Sequence, residues 1–575
     1  VHDILVLGGG SAGCVLAARL SEDPDCKVVL VEAGPDIRDG AVPEDIRSGY
    51  PGRAFLNAEN LWPGLTALMG AGHGGAPRLP RRYEQARVLG GGSSINAMAA
   101  NRGAPADYDE WEALGAAGWS WQAVLPYFRR LETDLDFGGP YHGKDGPVLI
   151  SRYSPDRQTP FVRQVCTVLE RHGHRRLEDQ NGAWEDGFFP IAVARDRAGG
   201  RLPAAVSHLT AAVRARPNLS VLTRSEARRI LFEGRRAVGA EIAGPDGTLT
   251  TLRAGEVVLA CGAIHTPALL MRSGVGPAAE LARHGIGVVA GRDGVGANLM
   301  EHPNLALSVY LDPKARIHGA DEHQIQAGLR LSSGLDGAPQ GDLHISVVAK
   351  SAWHGVGRRL GALLVWVNKS YSRGEVRLRS AEPGTPPAVD FRLLSDARDR
   401  RRLIAGVRVA ARTLADPSMR TVAGNPFPAV FSDRVRRISA PSRFNAFRTS
   451  LFGCALDGAL GLRDGLIRNV ITNGVTLEAL LADDAAMNAF VAGAVGGTWH
   501  ASGTCRMGRD DDPMAVADSR GRVLGLAGLR ICDASLMPSI PCANTNMPTM
   551  MMAERIADLM KAEKAGRRGP VTAVA

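Results

Sequence analysis

The stretch VHDILVLGGGSAGCVLAARLSEDPDCKVVLVEAGPD, residues 1–36, decides the fold. A short apolar strand, Ile4 to Leu7, runs into Gly8, Gly10 and Gly13, spaced G-x-G-x-x-G. An Ala/Leu-rich helical pattern follows, then a second strand, Val28 to Val31, ending on Glu32. Strand, glycine turn, helix, strand and terminal acid in register form the first βαβ unit of a dinucleotide-binding sheet. Gly8 permits the tight turn. Gly10 lets backbone N–H groups approach a pyrophosphate at the helix N-terminus, and Gly13 lets the helix pack on the strand. Glu32 can accept hydrogen bonds from adenosine ribose hydroxyls. The competing reading, a glycine turn with no ligand, accounts for less of the stretch.

The chain has 575 residues, enough for a large core and two or more domains. Hydrophobic residues make up 45% and charged residues 22%, as in ordinary globular proteins. The formal net charge of +9 is mild for this length. Arginines are scattered, without a long basic tail or interleaved aromatics, which argues against nucleic-acid binding. Eight cysteines are widely spread with no C-x-x-C pair. They are expected to be reduced and mostly buried, in a cytoplasmic protein, with no metal site. No apolar run reaches transmembrane length, and no signal peptide precedes the first strand, which disfavours membrane contact.

Further along, residues 37–80 read as a loop-rich excursion. RVLGGGSSINAMAANRG, residues 87–103, suits a loop whose backbone lies against a ligand. Residues 107–133 carry helical periodicity with core-type aromatics, Trp111, Trp119, Trp121 and Phe128. Residues 219–259 alternate as a strand meander punctuated by EGR and PDG turns. LALSVYL, DLHISVVA and ALLVWVNKS add strands between 305 and 370. This pattern fits a discontinuous cofactor domain with a sheet-based substrate domain inserted into it. Residues 420–475 mix apolar residues with Arg443, Arg448, Arg463 and Arg468. They read first as a surface helical hairpin, and second as a lid, a subunit contact or a membrane-facing element. The tail from about 564 is expected to fray.

The chemistry is expected near the C-terminus, in GGTWHASGTCRMG (496–508) and LRICDASLMPSIPCANTNMPTMMMAERIADLM (529–560). Strand Leu529 to Cys532 ends on Asp533, and an apolar helix starts near Pro548. Backbone N–H groups at that helix start favour partial negative charge. A positioned histidine can take a hydroxyl proton near neutral pH, and an asparagine amide can hold the alkoxide oxygen. His500 and Asn544 are that pair. A Ser-His-Asp hydrolase fails for want of a G-x-S-x-G elbow, and zinc for want of ligand spacing.

With these motifs in order, the chain resembles the glucose–methanol–choline (GMC) flavin oxidoreductases over nearly its whole length, apart from residues 420–475, which read as an insertion that departs from the furfural oxidase pattern. RVLGGGSSINAM resembles the family's first signature and GAIHTPALLMRSGVG (262–276) its second; GVGANLMEHP (294–303), WHASGTCRMG and DASLMPSIPCANTNMPTMMMAE follow. The resemblance implies a mixed α/β fold. A Rossmann-like FAD-binding domain (1–157, 214–303, 488–575) would carry an inserted antiparallel-sheet substrate domain (158–213, 304–487). It implies FAD contacts at Gly8, Gly10, Ser11, Ala12, Gly13, Glu32 and Ala33. Leu89, Gly91, Gly92, Ser93, Asn96, Ala97, Met98 and Ala99 follow in the first signature. Ala227, Cys261, Gly262, Trp499, Asp533, Ala534, Asn544 and Thr545 complete the set.

His500 matches the family's active-site histidine, and Asn544 the position that is His or Asn. Ile95 stands where some members attach flavin through a histidine, so FAD is expected to be noncovalent. VWVNKS (365–370), GGTWHASGT and RGAPADYDEW (102–111) look most like the 5-(hydroxymethyl)furfural oxidase and aryl-alcohol oxidase branch. That implies primary alcohols on aromatic or furan rings, with Trp366, Trp499, His500 and Asn544 on the substrate. The electron acceptor is O2 or, in an alternative dehydrogenase, a quinone or protein; a hydroxynitrile lyase is a third reading. Monomer and homodimer both stay open.

Overall fold

The first strand, β1 (His2–Leu7), lies at the centre of a parallel sheet. The computed structural model describes residues 2–72, 78–319, 321–335, 337–458, 463–472 and 474–568. Leu5, Val6 and Leu7 are fully buried because both faces of the sheet are covered, so the run is continuously apolar. Each contributes about 1.5–3 kcal/mol by leaving water. Helix α1 (Ser11–Leu20) follows, then β2 (Val28–Val31). Gly13 shows why the turn needs its third glycine: a Cβ there would stand 1.9 Å from the Gly8 carbonyl oxygen.

The parallel strands run in the order 529–531, 249–259, β1, β2, 219–222. Strand Leu249–Leu259 has two roles. Its second half pairs with β1, and its first half pairs antiparallel with Arg236–Ala243, itself antiparallel to Glu226–Glu233. The meander expected over 219–259 is therefore continuous with the dinucleotide sheet. Helix Asn546–Arg568 packs against α1 and Trp121–Leu131. It starts two residues before Pro548, and it continues through 564–568 where fraying was expected; residues 569–575 lie outside the described set.

A second, antiparallel sheet runs in the order 423–429, 303–311, 360–367, 343–348, 325–331, 187–190. Period-two alternation splits its faces. Leu305, Leu307, Leu343, Ile345, Val347, Leu363 and Val365 join a core with Leu403, Val407 and Ala411 of helix Ala397–Ala415. The other face, with Asn304, Trp366 and His344 paired across three strands, looks into a cavity.

Two expectations need correction. Residues 37–80 include a strand, Thr66–Gly70, besides loops and short helices. Residues 420–475 are not helical throughout. Ala423–Ala429 is an edge strand, where Pro426 and Pro428 are tolerated because an edge leaves amide positions unpaired. Helices Asp433–Ser439, Arg443–Gly458 and Arg463–Leu466 follow. Asp457 anchors them, accepting from Tyr310 (2.6 Å) and pairing with Arg316 and Arg359 (both 2.7 Å).

A buried charge cluster joins Glu132, Asp134 and His142 to Arg102, Arg152 and Asp179. Burial opposes charge on His142, but hydrogen bonds to Asp134, Asp179 and Glu132 outweigh it and lift its pKa to about 10. Arg152 also reaches Asp136 (3.5 Å), so the three cations His142, Arg102 and Arg152 offset most of the charge of four carboxylates. All eight cysteines are free thiols.

Candidate active site

A cavity of about 1390 Å³ runs from the glycine turn after β1 to the antiparallel sheet. Gly8, Gly10, Ser11 and Ala12 line one end, with Glu32 and Ala33 from the end of β2. Glu32 is buried and its two carboxylate oxygens accept from the amides of Gly9 (2.8 Å) and Gly34 (2.7 Å). Burial raises its pKa, and those amide bonds counter it. The Ser11 hydroxyl donates to Asn546 Oδ1 (2.7 Å), tying the start of α1 to the start of the last long helix. Both helix N-termini thus open on the cavity and present orphan N–H groups to it.

Several features fit these walls to an extended, phosphate-bearing dinucleotide. A Cβ at Gly10 would meet only Ala260 O and Gly91 Cα, at 3.8 and 3.9 Å, leaving the floor of the cavity open. Gly91 has φ +54°, and a Cβ there would lie 2.6 Å from Gly10 Cα, so two glycine backbones meet at close range. A Cβ at Gly262 would meet nothing within 4 Å. Trp62 stacks on His265 at 4.3 Å beside Ala227 and Arg87 in the same cavity, a flat surface suited to a base.

Most residues expected at the cofactor come together here. Gly91, Gly92, Asn96, Ala97, Met98, Ala99, Ala227, Cys261, Gly262, Trp499, Asp533, Ala534, Asn544 and Thr545 all line the cavity. Gly13, Leu89 and Ser93 stand behind the wall. Gly13 packs α1 on β1. Leu89 is fully buried, and its side chain fills the space where a Cβ on Gly9 would stand. Ser93 donates to Gly90 O (2.5 Å) and accepts from Ala204 N (2.9 Å). Asp533 lines the cavity and also clamps the fold, accepting from Gly262 N (2.9 Å), Thr266 Oγ1 (2.6 Å) and Ser535 N (2.8 Å).

At the other end His500 Nε2 lies 3.0 Å from Asn544 Nδ2. His500 is 7% exposed, and burial pushes its pKa down to about 3, so the imidazole is neutral at physiological pH. Its other nitrogen, Nδ1, is 2.8 Å from His302 Nδ1 and 2.7 Å from Thr498 Oγ1. Its backbone amide donates to the Glu301 carboxylate at 2.9 Å. Glu301 also accepts from Tyr83 Oη (2.7 Å), Thr498 Oγ1 (3.0 Å) and the His302 amide (2.9 Å).

The mouth is aromatic. Trp499 holds a left-handed backbone (φ 62°), rare for a non-glycine residue and a conformation that clusters at functional sites. Its ring lies 6.1 Å from Phe55 and 5.8 Å from Phe431, and its Nε1 donates to Glu84 Oε2 (3.0 Å). Glu84 also pairs with Arg436 (2.9 Å). Trp366 stacks on His344 at 4.1 Å deeper in. The segment after 429 reaches this mouth, with Phe431, Val435, Ile438 and Phe452 lining the cavity.

Sequence reading missed Glu84, Phe431, Trp62 and His265, whose partners come from remote segments. The motif GVGANLMEHP contains Glu301 and His302, but only the fold shows that they contact His500.

The comparisons with known proteins agree with this architecture. The GMC oxidoreductase family models match residues 2–304 and 370–553. The chain belongs to the GMC oxidoreductase family, whose members are flavoproteins. It is 41% identical to the 5-(hydroxymethyl)furfural oxidase of Methylovorus sp. (strain MP688), over 97% of this chain and 98% of that one. It is 32% identical to the oxygen-dependent choline dehydrogenase of Vibrio vulnificus (strain YJ016), over 97% and 94%. Among solved structures it is similar to pyridoxine 4-oxidase from Mesorbium loti, with TM-score 0.78, 28% identity and coverage of 98% and 99%. No helix among the described residues is long and apolar enough to cross a membrane.

Proposed function

We propose that this oxidoreductase converts primary alcohols on aromatic or furan rings to aldehydes, and onward to acids through hydrated aldehydes, with O2 as the electron acceptor and H2O2 as product. The observation that carries this reading is the 3.0 Å approach of His500 Nε2 and Asn544 Nδ2 in a buried, aromatic-lined pocket. The 41% identity to a furfural oxidase supports the substrate class.

FAD, when bound, supplies the two-electron acceptor for hydride leaving the alcohol carbon. Gly8, Gly10, Ser11, Glu32, Gly91, Asn96, Ala97, Asp533, Ala534 and Thr545 are the residues proposed to hold it. Ile95 presents no nucleophile, so we read the attachment as noncovalent. Asn544 Nδ2 donates to His500 Nε2 across 3.0 Å; a substrate hydroxyl entering beside the pair takes the place of this bond, donating to His500 Nε2 while accepting from Asn544 Nδ2. His500 then removes the hydroxyl proton, and Asn544 holds the oxygen as charge develops on it. Trp366, Trp499 and Phe431 offer the apolar, flat surfaces that a benzyl or furfuryl ring needs. Residues 430–452 act as a lid, because Phe431, Val435, Ile438 and Phe452 line the cavity and Phe431 packs on Trp499.

Anaerobic mixing with a panel of alcohols tests the reading. The flavin should bleach with benzyl-type and furfuryl alcohols, and air should restore its colour with release of peroxide. Bleaching without reoxidation by air would assign a quinone or protein acceptor. Cyanide release from cyanohydrins without bleaching would assign a lyase.

A further inference from the structure

We infer that His302 is a positioning residue that fixes the tautomer of His500, holding its proton on Nδ1 and leaving Nε2 unprotonated to act as the base. The inference deepens the reading of His500 as base and rests on it.

Hydrogen-bond accounting along one chain of atoms carries it. His302 Nε2 lies 3.1 Å from the Pro541 carbonyl oxygen, which can only accept. His302 must therefore carry its proton on Nε2 and keep a bare lone pair on Nδ1. That lone pair faces His500 Nδ1 at 2.8 Å. One proton must lie between the two nitrogens, and only His500 can own it. His500 is then unprotonated at Nε2, whose lone pair accepts from Asn544 Nδ2 (3.0 Å); a turned amide would present Oδ1 instead, so Asn544 alone does not set the tautomer. The arrangement parallels the general rule that the partner of one ring nitrogen decides what the other can do.

Thr498 assists but cannot decide the matter alone. Its hydroxyl donates to Glu301 and can accept from His500 Nδ1, yet a hydroxyl can also turn and donate. His302 Nδ1 has no proton to give, so it permits one tautomer. Both rings are buried and meet edge to face at 5.0 Å, which restricts ring flips. The Glu301 carboxylate accepts from the backbone amides of both residues and so fixes the two backbones relative to each other. Other charged or titratable groups around the pair are Tyr83 on Glu301, Lys369, which is paired with Asp107 and Glu110, and His344.

The test uses the FAD-loaded enzyme. His302→Leu removes the obligatory acceptor, so His500 populates both tautomers. The anaerobic flavin-reduction rate constant should fall roughly ten- to a hundred-fold, the usual range for losing a ligand-orienting partner. Apparent alcohol affinity and FAD content should change little. His302→Asn offers Oδ1 where Nδ1 stood and should restore most of the rate. A merely structural role would not separate the two variants in this way.

Nitrogen-15 spectra of histidine-labelled wild-type enzyme read the tautomer directly, with His500→Ala assigning the signal. The expected result is a proton on Nδ1 and none on Nε2 at neutral pH. A proton on Nε2 overturns the inference, as does a His302→Leu enzyme that keeps the wild-type rate and nitrogen pattern. If His500→Ala itself reduces flavin normally, the base assignment falls first. A slow His500→Ala beside a normal His302→Leu removes only the role given to His302.

Discussion

His500 and Asn544 meet at 3.0 Å although they lie 44 positions apart, one in the turn after Gly497 and the other in the loop that leads into helix Asn546–Arg568. The two residues supply complementary functions, a lone pair and an N–H donor, to one small volume. If Asn544 holds the developing alkoxide, Asn544→Ala should slow anaerobic flavin reduction by about ten- to a hundred-fold, less than loss of the base. Stopped-flow absorbance measures this. A larger effect than that of His500→Ala would reverse the ranking.

The rate of flavin reduction should be level from neutral pH down to about 4. The sequence alone predicts a histidine base that titrates near neutral pH, but burial moves His500 down to about 3. The neutral base therefore persists through the mildly acidic range. An inflection between pH 6 and 7 in the reduction rate constant would mean that His500 is better solvated than its geometry indicates.

Folding stability should drop on acidification within the window set by the buried histidines. Burial holds His265, His344 and His500 near pKa 3, and His323 and His354 near 4, against about 6.5 in the unfolded chain. Below 6.5 the unfolded chain binds protons that the folded one refuses, so stability falls as pH drops toward 3–4. His142 acts oppositely: its stabilising contribution is full below 6.5 and is lost as pH rises toward about 10. Thermal melts from pH 4 to 10 should therefore peak near neutrality. Rising melting temperature from pH 7 to 4 would contradict this account.

Two glycines in one turn should behave differently. Gly10→Val finds space in the protein but fills the cavity floor, so the protein should fold and lose FAD. Gly13→Val drives a Cβ into the Gly8 carbonyl and should prevent folding. Circular dichroism and flavin absorbance separate these outcomes. Full FAD occupancy in Gly10→Val would remove the turn from the cofactor site.

Glu84 links Trp499 to Arg436 on helix Asp433–Ser439, in the segment proposed to act as a lid. Glu84→Gln should weaken that link, raising KM for ring-bearing alcohols several-fold while leaving the flavin spectrum intact. Unchanged KM would make the segment a surface element only.

The first βαβ unit was legible because its signals are local: glycine spacing, an apolar strand and an acid in register. Asn544 and His500 were legible as motif residues. Their geometry was not, because the His302–His500 contact spans 198 positions and no periodicity marks it. Strand Ala423–Ala429 was hidden by its prolines, which read as loop until an edge position explains them. The mouth likewise gathers Phe55, Phe431 and Trp499 from three distant segments.

The assignment of His500 as base is tested most directly by single-turnover reduction of FAD in His500→Ala under anaerobic conditions. The expected result is a reduction rate constant lower by roughly two to four orders of magnitude, with FAD still bound. Reduction at the wild-type rate would contradict the assignment and send the search for the base elsewhere in the cavity.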